Sequence, residues 1–172
     1  MSDPSDHYRS MSVREIIQYL TIKAFQPPLS KLLRDLRSVP EVLRIPILVI
    51  VHDTALNMGG TIGFLEDFGG YLVDTIDALE TISAHKTAHT LRTIQQILSS
   101  NAVTVEDLMY GWKMPEQMEE QVDREFFGKS YLWSPLEDPA EPMLGLLEAY
   151  LQDRRNELVA ALESVDERRR PA

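Results

Sequence analysis

The chain has 172 residues, of which 44% are hydrophobic and 26% charged, with no cysteine and a formal net charge of −10. That composition is ordinary for a soluble globular protein long enough to bury its own core. It excludes a disulfide framework, a thiol nucleophile and a thiolate metal site, and the longest uncharged apolar run, Ile45–Val51, is too short to span a bilayer.

The opening MSDPSDHYRS is polar and acidic, unlike a signal or transit peptide. The expectation is a cytoplasmic protein with residues 1–11 as a flexible tail. Ser12 and Glu15 have the spacing of a capping box. Val13, Ile16, Ile17, Leu20 and Ala24 then recur at helical intervals until Pro27-Pro28. Leu29, Leu32, Leu33 and Leu36 form a second apolar stripe, with Lys31, Arg34 and Arg37 on its other side. Pro40 suits the first turn of the next helix, and Pro46 means that this helix either begins near Ile45 or kinks there. The β-branched residues of IPILVIV would also suit a buried strand. No second segment is a comparable strand partner, so a helix is expected.

At Asn57-Met58-Gly59-Gly60 and at Gly69-Gly70 the paired glycines predict helix stops, since glycine reaches positive φ at little cost. Neither pair is a phosphate loop: no Lys-Ser/Thr follows and no strand precedes. Leu72, Ile76, Leu79 and Ile82 mark the next helix, and Ala88, Leu91, Ile94 and Leu98 the one after. Thr104 can cap VEDLMYGW, Pro115 opens PEQMEEQVDREFF, and SPLEDPAEP reads as a rigid connector. A last helix covers Met143–Leu162, and residues 165–172 read as a frayed tail. The prediction is all-α: a single compact domain of about seven or eight helices over residues 12–164, built around Ile45–Leu98.

The stretch NMGGTIGFLEDFGGYLVDTIDALETISAHKTAHTLRTI resembles the core of a bacterial family of acidic helical proteins, catalogued as a domain of unknown function, that includes a DNA mimic. Asn57, Gly59, Gly60, Phe64, Gly69, Gly70, Ala78, Leu79, Ile82, Ala84 and Ala88 fit its pattern of an Asn-Asn-Gly-Gly-Phe turn and ALxxIGA. Met58, Thr61, Gly63 and Ser83 depart from it, Ser83 standing where the pattern has glycine. VDREFFGKSY and LLEAYLQDRRNEL echo its later segments. The resemblance implies a helical fold, a DNA-mimic role and a homodimer.

Charge is uneven along the chain. Residues 51–150 hold 17 acidic against 5 basic side chains, whereas residues 1–50 hold 5 against 7. Such a middle repels nucleic acid and anionic membranes and attracts basic partners. The candidate partner-binding residues are Asp67, Asp74, Asp77 and Glu80 on one helix and its approach, and Glu116, Glu119, Glu120 and Asp123 on another, with Glu106 and Asp107 between. His85 and His89 stand four apart, so they can share a helix face and bind a metal with His52, Asp53 or Glu66 as a third ligand; the pattern is HKTAH, not HExxH. His52-Asp53 is a neighbour pair whose side chains diverge on a helix, and no G-x-S-x-G elbow is present. The aromatics Phe64, Phe68, Tyr71, Tyr110, Trp112, Phe126, Phe127, Tyr131 and Trp133 suit core or dimer contacts. Lys31, Arg34, Arg37 and Arg44 are too sparse for nucleic-acid binding. The expected function is a non-enzymatic acidic interaction module without a cofactor, possessing no catalytic residue, that binds a basic protein such as a DNA-binding protein. The alternatives are an immunity-like protein masking a basic toxin and a metal-dependent hydrolase on His85 and His89.

Overall fold

From Ile45 to Asp53 every residue is buried, on all sides of one helix. A helix without a polar face has to be surrounded, and the rest of the chain does this. In the computed structural model, which describes residues 4–26, 29–33, 35–108, 112–126 and 141–167, the helices are α1 (Pro4–Ser10), α2 (Val13–Lys23), α3 (Leu29–Leu32), α4 (Glu41–Phe68), α5 (Leu72–Thr81), α6 (His85–Ser100), α7 (Val105–Leu108), α8 (Glu116–Phe126), α9 (Met143–Gln152) and α10 (Arg155–Glu167). Leu36–Ser38 and Gly69–Tyr71 are 3-10 turns. Among the described residues there is no strand, and eight helices are seven residues or longer, so the fold is all-α as expected.

Ile45–Val51 is therefore helix, the central one. Helices α2, α5, α8 and α10 pack on α4. Each brings an apolar stripe: Val13, Ile16, Ile17 and Leu20 from α2, and Leu72, Ile76 and Leu79 from α5. Burying each such Leu or Ile contributes about 1.5–3 kcal/mol. Length and hydropathy would let the stretch Glu41–Thr81 cross a bilayer, but 67% of its most apolar window is buried against other helices, as in the core helix of a globular fold. The helix begins at Glu41 with Pro40 as its N-cap, and it runs through Pro46 without a break in its dihedral angles.

The break comes at Gly60, whose φ of 65° and ψ of −166° are a conformation essentially confined to glycine. The chain turns there, and Thr61–Phe68 becomes a separate short arm. Asn57, Met58 and Gly59 lie exposed at the apex. Gly69-Gly70 is different from the expected positive-φ stop. Gly69 is right-handed (φ −58°), and among the described glycines only Gly60 has positive φ. Gly69 is needed for space: a Cβ there would lie 3.0 Å from the Leu108 Cβ, where α7 closes on the 3-10 turn.

Two helices end instead on non-glycine residues at positive φ, Ser83 (66°) after α5 and Ala102 (58°) after α6. The bonding is the same at both. Ala84 N–H donates to the Leu79 carbonyl and Ser83 N–H to that of Glu80; Val103 N–H donates to Leu98 and Ala102 N–H to Ser99. These are Schellman closures, in which an apolar residue beyond the turn packs back on the last helical turn. Ser83 thus occupies the very backbone state that a glycine would favour.

Residues 1–11 were expected to be a loose tail, yet Pro4–Ser10 form α1, which packs on α10. Its hold is mostly polar. The Tyr8 hydroxyl donates to Asp166 Oδ2 at 2.6 Å and stands 3.1 Å from the Tyr19 hydroxyl. Burial and the Asp166 carboxylate raise the Tyr8 phenol well above its ordinary range. Arg9 pairs with Glu163, and Arg155 donates to the carbonyls of Arg9 and Met11. A sequence pattern of polar residues concealed these contacts because each partner lies some 150 positions away. The Ser12–Glu15 capping box forms as predicted, and α10 continues to Glu167.

The turns supply a paired prediction. Replacing Gly60 by alanine should lower stability by about 1–3 kcal/mol, because a Cβ is strained at that φ and ψ. Replacing Ala102 by glycine should raise it by about 0.5–1 kcal/mol, the relief of the left-handed penalty less the added freedom of the unfolded glycine. In thermal melts of a chain this size the shifts should be opposite in sign, at about 2–4 °C per kcal/mol.

Candidate functional site

The first acidic set lies on the arm and α5. Asp67 and Asp77 are exposed, and Asp74 and Glu80 are half-buried. The last two are already engaged. Asp74 Oδ2 accepts from Arg37 Nη2 at 3.1 Å, across from the 3-10 turn Leu36–Ser38. Glu80 accepts from Arg92 on α6 and lies 2.5 Å from His85 Nδ1. Hydrogen bonds from His85 and Arg92 hold the Glu80 carboxyl below its ordinary value, and the bond to Asp74 raises the Arg37 guanidinium. Glu66, beside Asp67, receives Lys113 and, at 3.3 Å, the Met114 N–H, and the Lys113 bond lowers its pKa. The stripe read from the sequence is therefore interleaved with cations from elsewhere in the chain.

The second set is on α8. Glu116 and Glu120 are exposed and Glu119 is half-buried. None of the three is in an ion pair among the described residues. Glu116 and Glu119 stand in the first turn of α8, where the helix dipole favours negative charge. The Asp123 side chain lies outside the described residues. Glu106 is exposed on α7, whereas Asp107 closes the cap of that helix, accepting from the Thr104 N–H and hydroxyl at 2.7 Å.

Among the described residues no three His, Asp or Glu side chains are grouped to hold a metal ion. His85 is turned to Glu80, and the proposed third ligands are separated: His52 is fully buried, Asp53 accepts from Asn57 Nδ2 at 3.4 Å, and Glu66 is on Lys113. The aromatics divide. Phe64 is core, Phe68 meets Phe25 edge-on at 5.9 Å, the Tyr71 hydroxyl donates to the Leu33 carbonyl, and Trp112 is half-buried. Tyr110, Phe127, Tyr131 and Trp133 lie outside the described residues, as do the side chains of Phe126, Lys31 and Arg34. Arg37 and Arg44 are paired with Asp74 and Glu41.

One carboxylate that no local pattern marks as special is Glu141. It is buried, and it accepts from the backbone N–H groups of Lys86 at 2.7 Å and Thr87 at 2.8 Å and from the Thr87 hydroxyl. Helix α6 begins after Ala84, which has no side chain able to cap. Glu141 does that from more than fifty residues away, accepting from two of the backbone donors that the first turn leaves unpaired.

Residues 37–154 match the family model described as DMP19-like protein. No curated protein and no solved structure matches the chain. The matched span runs from the first 3-10 turn to the α9–α10 junction, and it contains both acidic sets, Glu141 and the Gly60 break.

Within that span Glu141 offers the sharpest test of a structural carboxylate. Glu141→Ala should cost about 1–2 kcal/mol, the loss of a helix cap with its donors left without their partner. Glu120→Ala, on an exposed and unpaired residue, should change stability by less than about 0.5 kcal/mol. Chemical denaturation of the two variants compares them directly.

Proposed function

Because the chain belongs to the DMP19-like protein family, we propose that it is a non-enzymatic acidic interaction module, presenting carboxylates to a basic DNA-binding protein in place of phosphates. The resemblance described above implies the DNA-mimic role. The observation that carries it for this chain is the α8 row of Glu116, Glu119 and Glu120, none of which is in an ion pair among the described residues. Helical positions three and four apart have Cβ atoms about 5–6 Å apart, a spacing comparable with that of successive charges along a nucleic-acid backbone. Asp77 and Asp67 add exposed charge on α5 and the arm. Asp74 and Glu80 contribute less, since Arg37, Arg92 and His85 offset them.

A partner with a basic groove would be steered to such a surface and held by ion pairs that salt weakens. Nucleic acid itself would be repelled. A bacterial cytoplasmic setting and a homodimer belong to the same reading, with Phe25, Ile22 and Val73 as exposed apolar residues for self-association. An immunity-like protein masking a basic toxin would use the same surface, and the two differ in whether the partner binds DNA.

The experiment is capture from the source lysate by the immobilised chain, followed by competition. The captured protein should be released by duplex DNA, and its affinity should fall at least tenfold between about 50 and 200 mM salt. The triple variant Glu116→Gln, Glu119→Gln, Glu120→Gln should lose at least tenfold in affinity while its melting temperature moves only a few degrees. Full affinity in the triple variant overturns the α8 assignment. A partner indifferent to DNA overturns the mimic reading.

A further inference from the structure

His52 is the most unusual polar residue of the fold. It lies on the central helix with no exposed surface, and neither ring nitrogen has a hydrogen-bond partner. Neutral imidazole needs a donor satisfied at one nitrogen and an acceptor at the other, and leaving such groups unpaired in the interior is costly. Three more buried hydroxyls are unpartnered among the described residues, those of Thr61, Thr75 and Tyr150. Thr61 is the first residue after the Gly60 break, and Thr75 is on α5, which packs against α4.

The arm places one of its rings directly against His52. The Phe64 ring stands perpendicular to the imidazole, 5.0 Å between centroids. Phe64 and Leu65 are the buried side of this short segment. At its near end the arm is joined through Gly59 and Gly60: Gly59 has no neighbouring atom within 4 Å of a would-be side chain, and Met58 is 84% exposed. At its far end Glu66 is fastened to Lys113 and the Met114 N–H. The segment is thus a lever with a free joint, a polar catch and an unsatisfied imidazole beneath it.

We propose that Thr61–Phe68 is a hinged arm, turning about Gly59 and Gly60, whose closed position requires His52 to be uncharged. A proton on His52 would place a cation against the Phe64 ring at a position with no exposed surface. Among the described residues, the charged groups on the surrounding elements are engaged with other partners or lie in solvent. Asp53, its neighbour on α4, receives Asn57; Glu66 and Asp67 of the arm are turned to Lys113 and to solvent. Asp74 and Glu80 of α5 are held by Arg37 and Arg92, and on α10 Glu163 pairs with Arg9 and Asp166 accepts from Tyr8. On α2 Arg14 is bonded to Glu148, and the α8 carboxylates Glu116 and Glu120 are in solvent. Burial is accordingly the one influence on the ring, and it lowers the His52 pKa to about 4.

The sign follows from linkage. With the arm open and the ring in water, His52 titrates near its ordinary value of about 6.5. The closed state binds the proton less readily, so its stability is complete above about pH 6.5 and is lost as pH falls toward 4. The bond from Lys113 holds the Glu66 carboxyl of the catch below its ordinary value. Acidification therefore frees the arm, carrying Glu66 and Asp67 with it.

The test is amide hydrogen exchange on the full chain, read by NMR at pH 7 and pH 5 and corrected for intrinsic rates. Arm amides should be less protected than those of α6 at pH 7, and the open fraction should grow roughly 20-fold at pH 5. In His52→Leu the arm should show no such pH response. Arm protection that is the same at both pH values overturns the proposal, as does a response that survives His52→Leu. So does an arm that loses protection only in step with α6, which would mean that His52 titrates in global unfolding alone. Should the leucine variant not fold, the comparison of arm with α6 in the unmodified protein decides.

Discussion

The absence of a polar face on the first half of α4 is the constraint from which the architecture follows. A helix apolar on every side gains nothing by lying on a surface. Its neighbours must enclose it, and each must then turn its own polar side outward. That is why α2, α5 and α8 are strongly one-sided while α4 is not, and why Asp77 of α5 and Glu116 and Glu120 of α8 face solvent. The acidic exterior and the apolar centre are two results of one packing requirement. The same requirement gives the Gly60 break its place. A straight α4 would carry its apolar residues beyond the helices that cover them, whereas the bend returns Phe64 and Leu65 to the core.

Local chemistry was legible in the sequence to the degree that its partners were local. The Ser12–Glu15 box, the stripes of α5 and α6 and the helix stop near Gly60 depend on residues a few positions apart, and all are where the spacing put them. Thr104 capped its helix as expected, through Asp107. Gly69 was misjudged in cause: two adjacent glycines look alike in sequence whether they serve a left-handed turn or a close contact, and only Leu108 distinguishes them. In the row Asp67, Asp74, Asp77 and Glu80 nothing near Asp74 announces Arg37, thirty-seven residues earlier. Glu141 shows the same limit more strongly, as a helix cap donated from another part of the chain.

For function, family membership and charge act at different levels. The DMP19-like match gives the kind of protein, while the pairing pattern ranks its surfaces. Carboxylates that are neutralised internally serve the fold, and those left in solvent are available to a partner. By this criterion the proposed role places α8 ahead of α5, an ordering that composition alone could not supply, since both helices are rich in Asp and Glu.

The clasp between α1 and α10 has a consequence for the order of assembly. Tyr8 and Asp166 are 158 positions apart. Closing so long a loop in a flexible chain costs conformational entropy that a few hydrogen bonds and an ion pair do not repay. Once the intervening helices have packed, however, the two segments are held as neighbours and the closure costs little. The clasp is therefore a late event in folding, made after the core around α4 exists. Its tyrosine cluster, Tyr8 against Tyr19 with centroids 5.5 Å apart, is a built-in optical reporter of the last step.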